Sequence, residues 1–170
     1  MANRREFFKS FAKPLKQNQE EETPRLVRPP YGKDESTFQS KCPSCETKTC
    51  ATSCDEKIII ILEDGTPTLD FSKNGCTFCD ECANVCQENV LSLENTQTTE
   101  KLNAMFRINV EGCVAHQGVI CNSCKEPCID DAILFNGMFN PVIDESRCTG
   151  CGFCISRCPT QAISYRVLEL

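Results

Sequence analysis

The sequence predicts an α+β fold in which two similar modules follow each other, preceded by an irregular N-terminal leader. Three observations support this fold: the chain of 170 residues contains sixteen cysteines, these fall into four runs, and an internal repeat places a hairpin within each pair of runs. Short apolar segments separated by turns favour small hairpins and helices. The predicted division is a basic leader and Pro-rich linker at residues 1–36, a first module at 37–98 and a second module at 99–170.

The cysteine runs predict the chemistry. They are Cys42, Cys45, Cys50 and Cys54; Cys76, Cys79, Cys82 and Cys86; Cys113, Cys121, Cys124 and Cys128; and Cys148, Cys151, Cys154 and Cys158. Four thiolates are the ligand set of one [4Fe-4S] cube, and the compact spacing of the second and fourth runs is typical of ferredoxins. We therefore expect all sixteen cysteines to ligate metal clusters, in tandem two-cluster ferredoxin-like modules holding three or four [4Fe-4S] cubes, with four expected.

Two runs depart from the compact spacing. Four residues separate Cys45 from Cys50, and seven separate Cys113 from Cys121. These loops must bulge around a cube, and the alternative for each is a degenerate or labile site. A disulfide scaffold is disfavoured because the chain shows no apolar secretory segment, and zinc because four thiols and Pro159 share a single run.

The repeat predicts the order of elements within each module. Asp64-Gly65 and Asn136-Gly137 are hairpin signals between β-rich segments. Apolar stretches at 90–93, 105–110 and 162–168 are expected to be strands outside the hairpins. Each unit thus reads as a cysteine run, a hairpin, a second run and a strand.

The fourth cysteine of a run ligates the other cube in two-cluster ferredoxins, and we expect it on the helix that crosses the module. The predicted sets are Cys42, Cys45, Cys50 with Cys86; Cys76, Cys79, Cys82 with Cys54; Cys113, Cys121, Cys124 with Cys158; and Cys148, Cys151, Cys154 with Cys128. The alternative, one run to one cube, leaves the ligands unchanged.

Charge and composition limit the partners. Residues 1–41 carry a net charge of +3 and residues 42–170 a net charge of −9. Four oxidised cubes with their thiolates would take the net charge of residues 42–170 to roughly −17, so nucleic acid is not an expected partner.

The longest apolar run, 58–62, is too short for a membrane span. Few apolar residues remain besides the cysteines, so metal binding should contribute to folding and the apo form should be largely unfolded.

The leader contains Arg4-Arg5 followed by two phenylalanines and Lys9, which is similar to a twin-arginine export motif. The following residues are too polar for an export segment, so we expect the chain to stay in the cytoplasm. A short helix is expected at about residues 3–12, docking either on the rest of the chain or on a partner.

Other candidate features do not suggest catalysis. His116 is expected to be a solvent-exposed loop residue rather than a cluster ligand. Gly150 and Gly152 are expected to let the backbone pass close to a cube. The segment 28–31, Arg-Pro-Pro-Tyr, is either a stiff polyproline-type spacer or an extended recognition segment. No constellation of catalytic residues is expected.

Taken in order, these features resemble the NapF family, the ferredoxin-type accessory proteins of the periplasmic nitrate reductase system. The resemblance rests on Arg4-Arg5, on 28–31 with Glu35 and Phe38, on the four runs, and on the Cys113–Cys121 gap. It implies a cytoplasmic iron-sulfur protein, itself not an enzyme, that binds the precursor of the catalytic subunit NapA and helps to mature it before export. The chain departs from the family in its first run, which has four residues instead of the usual two between the second and third cysteines.

Two functional hypotheses follow. The first is a maturation factor that binds the NapA precursor and supplies electrons or clusters. The second is an electron-transfer subunit, a polyferredoxin that shuttles electrons to an oxidoreductase without lasting association.

Overall fold

The computed structural model describes residues 26–95 and 101–168. The helices there are α1 (Glu35–Lys41), α2 (Thr49–Thr52), α3 (Glu81–Asn84) and α4 (Phe153–Arg157), and the strands are β1 (Ile59–Ile61), β2 (Pro67–Leu69), β3 (Ala104–Ile108), β4 (Ile133–Asn136), β5 (Phe139–Ile143) and β6 (Ile163–Val167). The predicted mixture of small helices and strands is confirmed. The Arg4-Arg5 leader and its expected helix lie outside the described residues.

Two antiparallel sheets are the predicted hairpins. β1 pairs with β2 and β4 pairs with β5, the second pair with an irregularity at Phe135/Asn136. Both turns place glycine in the left-handed conformation, Gly65 at φ +80° and Gly137 at φ +68°. Glycine adopts this conformation without the steric penalty of a Cβ atom, which explains the Asp-Gly and Asn-Gly signals.

The third sheet pairs β3 with β6 over five residue pairs, from Ala104↔Val167 to Ile108↔Ile163. These are two of the three apolar stretches expected to be strands. The expected strand at 90–93 is wrong: Leu91 makes one isolated bridge, to Gly32. Two residues before Gly32 the chain is Pro29-Pro30, and proline has no N–H group to extend a ladder.

Residues 27–32, which we call the strap, are part of the core. Val27, Arg28 and Tyr31 are each 2% exposed. The Val27 carbonyl accepts a hydrogen bond from the Leu69 N–H at 2.9 Å, which attaches the strap to β2. The segment is therefore neither a spacer nor an exposed recognition element, contrary to both interpretations from the sequence.

The core joins the two halves of the chain through Phe71. Its ring lies 5.6 Å from that of Phe106 and 5.5 Å from that of Tyr165, both in edge contact. A Cβ atom on Gly152 would lie 2.2 Å from this ring, and one on Gly150 would lie 2.9 Å from the Ala104 carbonyl oxygen. Both glycines have positive φ, and they permit close packing against β3 and Phe71. Their expected role in letting the backbone pass close to a cube stays a prediction.

The helices of the described residues are all short, α1 being the longest with seven residues. In this part of the chain none has the length and apolar character that crossing a membrane requires.

Candidate functional site: four groups of thiols

Three cysteine runs share one local arrangement. Cys50, Cys82 and Cys154 lie in α2, α3 and α4, and each is the third cysteine of its run. The fourth cysteine follows the end of the helix rather than lying on it, which corrects the expectation from the sequence. The spacing explains this, because three intervening residues are about one helical turn. In the third run, residues 121–128 form turns instead of a helix.

Left-handed residues shape these loops. The residues that precede α2, α3 and α4 are Lys48 (φ +46°), Asp80 (φ +65°) and Gly152 (φ +88°). In the second run Phe78 also has positive φ, and its N–H donates to the Cys76 Sγ at 3.4 Å. Where left-handed and right-handed residues follow each other, successive backbone N–H groups point towards one centre. This concave arrangement is suited to binding anions.

The folded chain brings the thiols together across runs. One cavity is lined by Cys42, Cys45, Cys50 and Cys86, a second by Cys54, Cys76, Cys79 and Cys82, and a third by Cys113, Cys121, Cys124 and Cys158. In the remaining set, the thiol of Cys128 is among the charges that raise the pKa of Cys148, Cys151 and Cys154, so these four also lie near one another. This is the crossed grouping, with the fourth cysteine of each run in the other run's set.

All sixteen thiols are free, and Cys79 is the one that is exposed. Burial, followed by the charge of neighbouring thiols, raises the pKa of Cys42 to about 11 and that of Cys82 to about 12. Burial is also the main cause that raises the pKa of Cys76 to about 12 and that of Cys124 to about 11. Such thiols keep their protons at neutral pH in the absence of a ligand, and a metal that binds them must displace these protons, since metals bind the thiolate.

Backbone donors face the fourth cysteines. The N–H groups of Leu91, Ala132 and Ala162 donate to the Sγ atoms of Cys86, Cys128 and Cys158 at 3.4, 3.3 and 3.2 Å. Hydrogen bonds to sulfur stabilise thiolates that ligate iron-sulfur clusters. Within the described ranges no three His, Cys, Asp or Glu side chains are placed to hold a single metal ion. Four free thiols per group, apolar surroundings and N–H donors to sulfur fit a [4Fe-4S] cube.

The irregular first run keeps this arrangement through a small bulge. Glu46 and Thr47 are exposed, and Lys48 then takes the position before the helix that Asp80 and Gly152 take elsewhere. The Lys48 N–H is the main cause that lowers the pKa of Cys45. The Lys48 ammonium donates to the carbonyl of Cys42 and, at 2.8 Å, to that of Gly65. The two extra residues therefore leave Cys50 on its helix.

The long gap in the third run is fastened to the β4–β5 hairpin. His116 Nε2 lies 3.0 Å from the Pro141 carbonyl oxygen, and the Asn140 N–H donates to the Ala115 carbonyl at 3.5 Å. His116 is half-buried, so the expectation of a solvent-exposed histidine is wrong. The loop beyond it exposes Val119 and Ile120.

Tyr31 contacts the loop of the second run, which the sequence did not reveal. Its hydroxyl donates to the Asp80 carboxylate and lies 3.1 Å from the Phe78 carbonyl oxygen, and burial is the main cause that raises its pKa. Through these bonds the strap holds the loop of the second run and lines the second cavity. No spacing rule connects Tyr31 with a loop 47 residues away.

Comparison with known proteins agrees with this chemistry. The family model of the 4Fe-4S binding domain matches residues 141–164, which include the fourth run. The chain is 34% identical over 147 residues to the ferredoxin-type protein NapF of Escherichia coli (strain K12), covering 84% of this chain and 86% of that protein. It is 27% identical over 165 residues to the ferredoxin-type protein NapG of the same strain, covering 85% and 71%. It is also 27% identical over 161 residues to the methylamine utilization ferredoxin-type protein MauM of Methylophilus methylotrophus, covering 84% and 70%.

The predicted resemblance is thereby confirmed over most of the chain. The matched 4Fe-4S domain and the sixteen cysteines support iron-sulfur clusters and a role in electron transfer. The chain is an iron-sulfur protein that belongs to the NapF family of ferredoxin-type proteins.

Proposed function

We propose that the sixteen cysteines hold four [4Fe-4S] cubes in two tandem two-cluster modules, with the ligands crossed between runs. The support is the grouping of thiols, in which three cavities each combine three cysteines of one run with the fourth of its partner run. Each cube, when bound, accepts and releases single electrons.

The protein contributes charge, hydrogen bonds and exclusion of water. The N–H donors to Cys76, Cys86, Cys128 and Cys158 stabilise negative sulfur. Apolar side chains such as Ile59 and Leu69 in the second cavity, and Ile108 and Ile163 in the third, limit access of water to the thiols. These factors tune the potential of a cluster.

We further propose that the chain acts in the cytoplasm as an accessory protein that binds the precursor of the periplasmic nitrate reductase catalytic subunit, NapA, and assists its maturation before export. The observation that carries this proposal is the 34% identity to NapF over 84% of the chain, together with the four-thiol groups. In this role the chain supplies electrons or clusters to the precursor. The net negative charge of residues 42–170 favours a partner with a positively charged surface.

Anaerobic co-purification tests this role. The cluster-loaded protein is expected to retain the cytoplasmic NapA precursor but not the exported form. The double variant Arg4→Ala/Arg5→Ala tests the leader, and Lys13→Ala/Lys16→Ala is its control because it removes the same charge. Equal retention of the precursor and the exported form would contradict the maturation role, and equal binding by the two double variants would contradict docking through Arg4-Arg5.

An electron-transfer subunit is the second candidate, favoured by the close contact between the second and fourth runs, where the Cys76 N–H meets the Cys151 carbonyl. This role predicts rapid, reversible electron exchange at all cubes without a lasting complex. Reversible exchange without precursor retention would favour it over maturation.

A further inference from the structure

The second and fourth cysteine runs touch each other directly, although they belong to different halves of the chain. The Cys76 N–H donates a hydrogen bond to the Cys151 carbonyl at 2.7 Å. The contact thus joins one predicted ligand of the second cube to one of the fourth.

Two glycines make this contact possible. A Cβ atom on Gly75 would lie 2.5 Å from both the Cys151 carbonyl oxygen and the Phe153 nitrogen. Cβ atoms do not approach backbone atoms this closely, so only glycine fits at this position. Across the same boundary, Gly152 leaves room for the Phe71 ring. A side chain at position 75 would clash with backbone atoms of the other half, and one at position 152 would clash with the Phe71 ring, so either change would disturb this contact.

The crossed grouping gives the order of the other groups. Cys50 lies in α2 and lines the first cavity, and Cys54, four residues further on, lines the second. In the same way Cys154, of the fourth group, lies in α4, and Cys158 at the end of that helix lines the third cavity. The groups therefore follow one another as first, second, fourth and third.

We infer that the four cubes form one linear electron path in this order, and that electrons cross between the halves at the Cys76–Cys151 contact. The inference rests on the proposed function, because it requires the four cubes. In the crossing step one electron leaves the reduced second cube, which becomes oxidised, and enters the oxidised fourth cube, which becomes reduced. No bond is broken, no proton moves, and the reverse step is equivalent.

The contact suits this step for a physical reason. Electron transfer between buried centres slows steeply with distance, and a hydrogen bond between two ligating residues offers a short connection. The first and third groups are the ends of the path, so electrons can enter at one half of the chain and leave at the other.

The test compares Gly75→Ala with Gly112→Ala in the full, cluster-loaded chain. Both glycines directly precede the first cysteine of a run, but a Cβ atom on Gly112 would have its nearest neighbours, the Cβ of Ala162 and the Nδ2 of Asn109, at ordinary distances of 3.5 and 3.6 Å. Iron and sulfide analysis counts the cubes, and electron paramagnetic resonance of the dithionite-reduced protein measures spin coupling between them. Freeze-quench experiments measure how fast electrons redistribute after partial reduction.

We expect Gly75→Ala to weaken the coupling and to slow redistribution severalfold, while Gly112→Ala matches the wild type. Equal coupling and equal rates in both variants, with all cubes loaded, would overturn the linear path and leave cube binding intact. Fewer than four cubes in the wild type would overturn the proposed function and the inference with it.

If the Gly75→Ala variant does not bind all of its cubes, a second variant tests the Cys76–Cys151 junction. Cys42→Ala/Cys45→Ala combined with Cys113→Ala/Cys121→Ala removes two ligands from each end group. The two remaining cubes are expected to show mutual spin coupling. Two independent signals without coupling would contradict the Cys76–Cys151 junction.

Discussion

At the scale of single residues, Arg28 connects the strap with α1 and β2. Its guanidinium donates to the Glu35 carboxylate at 2.8 Å through Nε, to Thr66 Oγ1 at 3.0 Å and to the Pro67 carbonyl at 2.6 Å. It also lies 5.0 Å from the centre of the Phe38 ring, a cation–π contact. Planar geometry with several donors is what distinguishes arginine from lysine at such a site.

Arg28→Met should therefore destabilise the protein. The change leaves the Thr66 hydroxyl and the Pro67 carbonyl without this donor, at a cost of about 2 kcal/mol. For a chain of this size, that cost lowers the apparent melting temperature by roughly 4–8 °C. Anaerobic thermal melts check this, with Arg107→Met on the exposed face of β3 as control. Equal melting temperatures for the two variants would contradict the role of Arg28.

Lys48 is expected to tune the first cube. Its ammonium is held beside Cys42, and Lys48→Met removes that positive charge from the surroundings of the cube. Reduction adds negative charge, so its free energy should become less favourable by on the order of 1 kcal/mol, and one potential should fall by roughly 40 mV. Redox titration followed by paramagnetic resonance checks this, with the exposed Lys73→Met as control. A shift of all four potentials, or of none, would speak against the assignment.

The cysteines could be read from the sequence because ligand spacing is local. Arg28, Tyr31 and Lys48 could not, because their roles depend on partners distant in sequence: Thr66 for Arg28, Phe78 for Tyr31 and Gly65 for Lys48. The crossed grouping of thiols was accessible only through the ferredoxin rule.

At the scale of elements, the hairpins were predictable because Asp64-Gly65 and Asn136-Gly137 encode their turns locally. The missing strand at 90–93 was not, because its partner is the strap, whose prolines limit pairing to Gly32. The placement of α2, α3 and α4 failed by a few residues, since these three helices follow left-handed residues that carry no common residue type.

The loop of the third run offers a test at this scale. His116→Ala removes the contact with the Pro141 carbonyl and should loosen the loop that leads to Cys121. Iron release from one cube to a chelator is then expected to accelerate severalfold, because a freer loop exposes the cube. Gln117→Ala is the control, since its side chain is exposed and donates to the carbonyl of the nearby Val110. Identical release curves for both variants would show that the histidine contact does not protect the cube.

At the scale of the whole molecule, regular structure is sparse in the described residues. Helices of four to seven residues and two-stranded sheets are too small to be stable alone. Cysteine thiols contribute to the main core beside residues such as Phe38 and Phe106. We therefore expect metal binding to supply part of the free energy of folding.

Removal of iron should unfold most of the chain. An anaerobic chelator in reducing buffer is expected to abolish amide-exchange protection in β3 and β6, and ferrous iron with sulfide should restore it. Protection that persists without iron would show that the apolar core alone maintains the sheet.

The buried strap also determines how the chain can be dissected. A protein shortened to begin at residue 37, the predicted module boundary, would lack Arg28 and the Tyr31 wall of the second cavity. Loss of partner binding in that truncation would then be confounded with damage to a cluster site. Truncation before residue 26 keeps the strap and its hydrogen bonds, so it separates the contribution of the Arg4-Arg5 leader to recognition from that of the cubes.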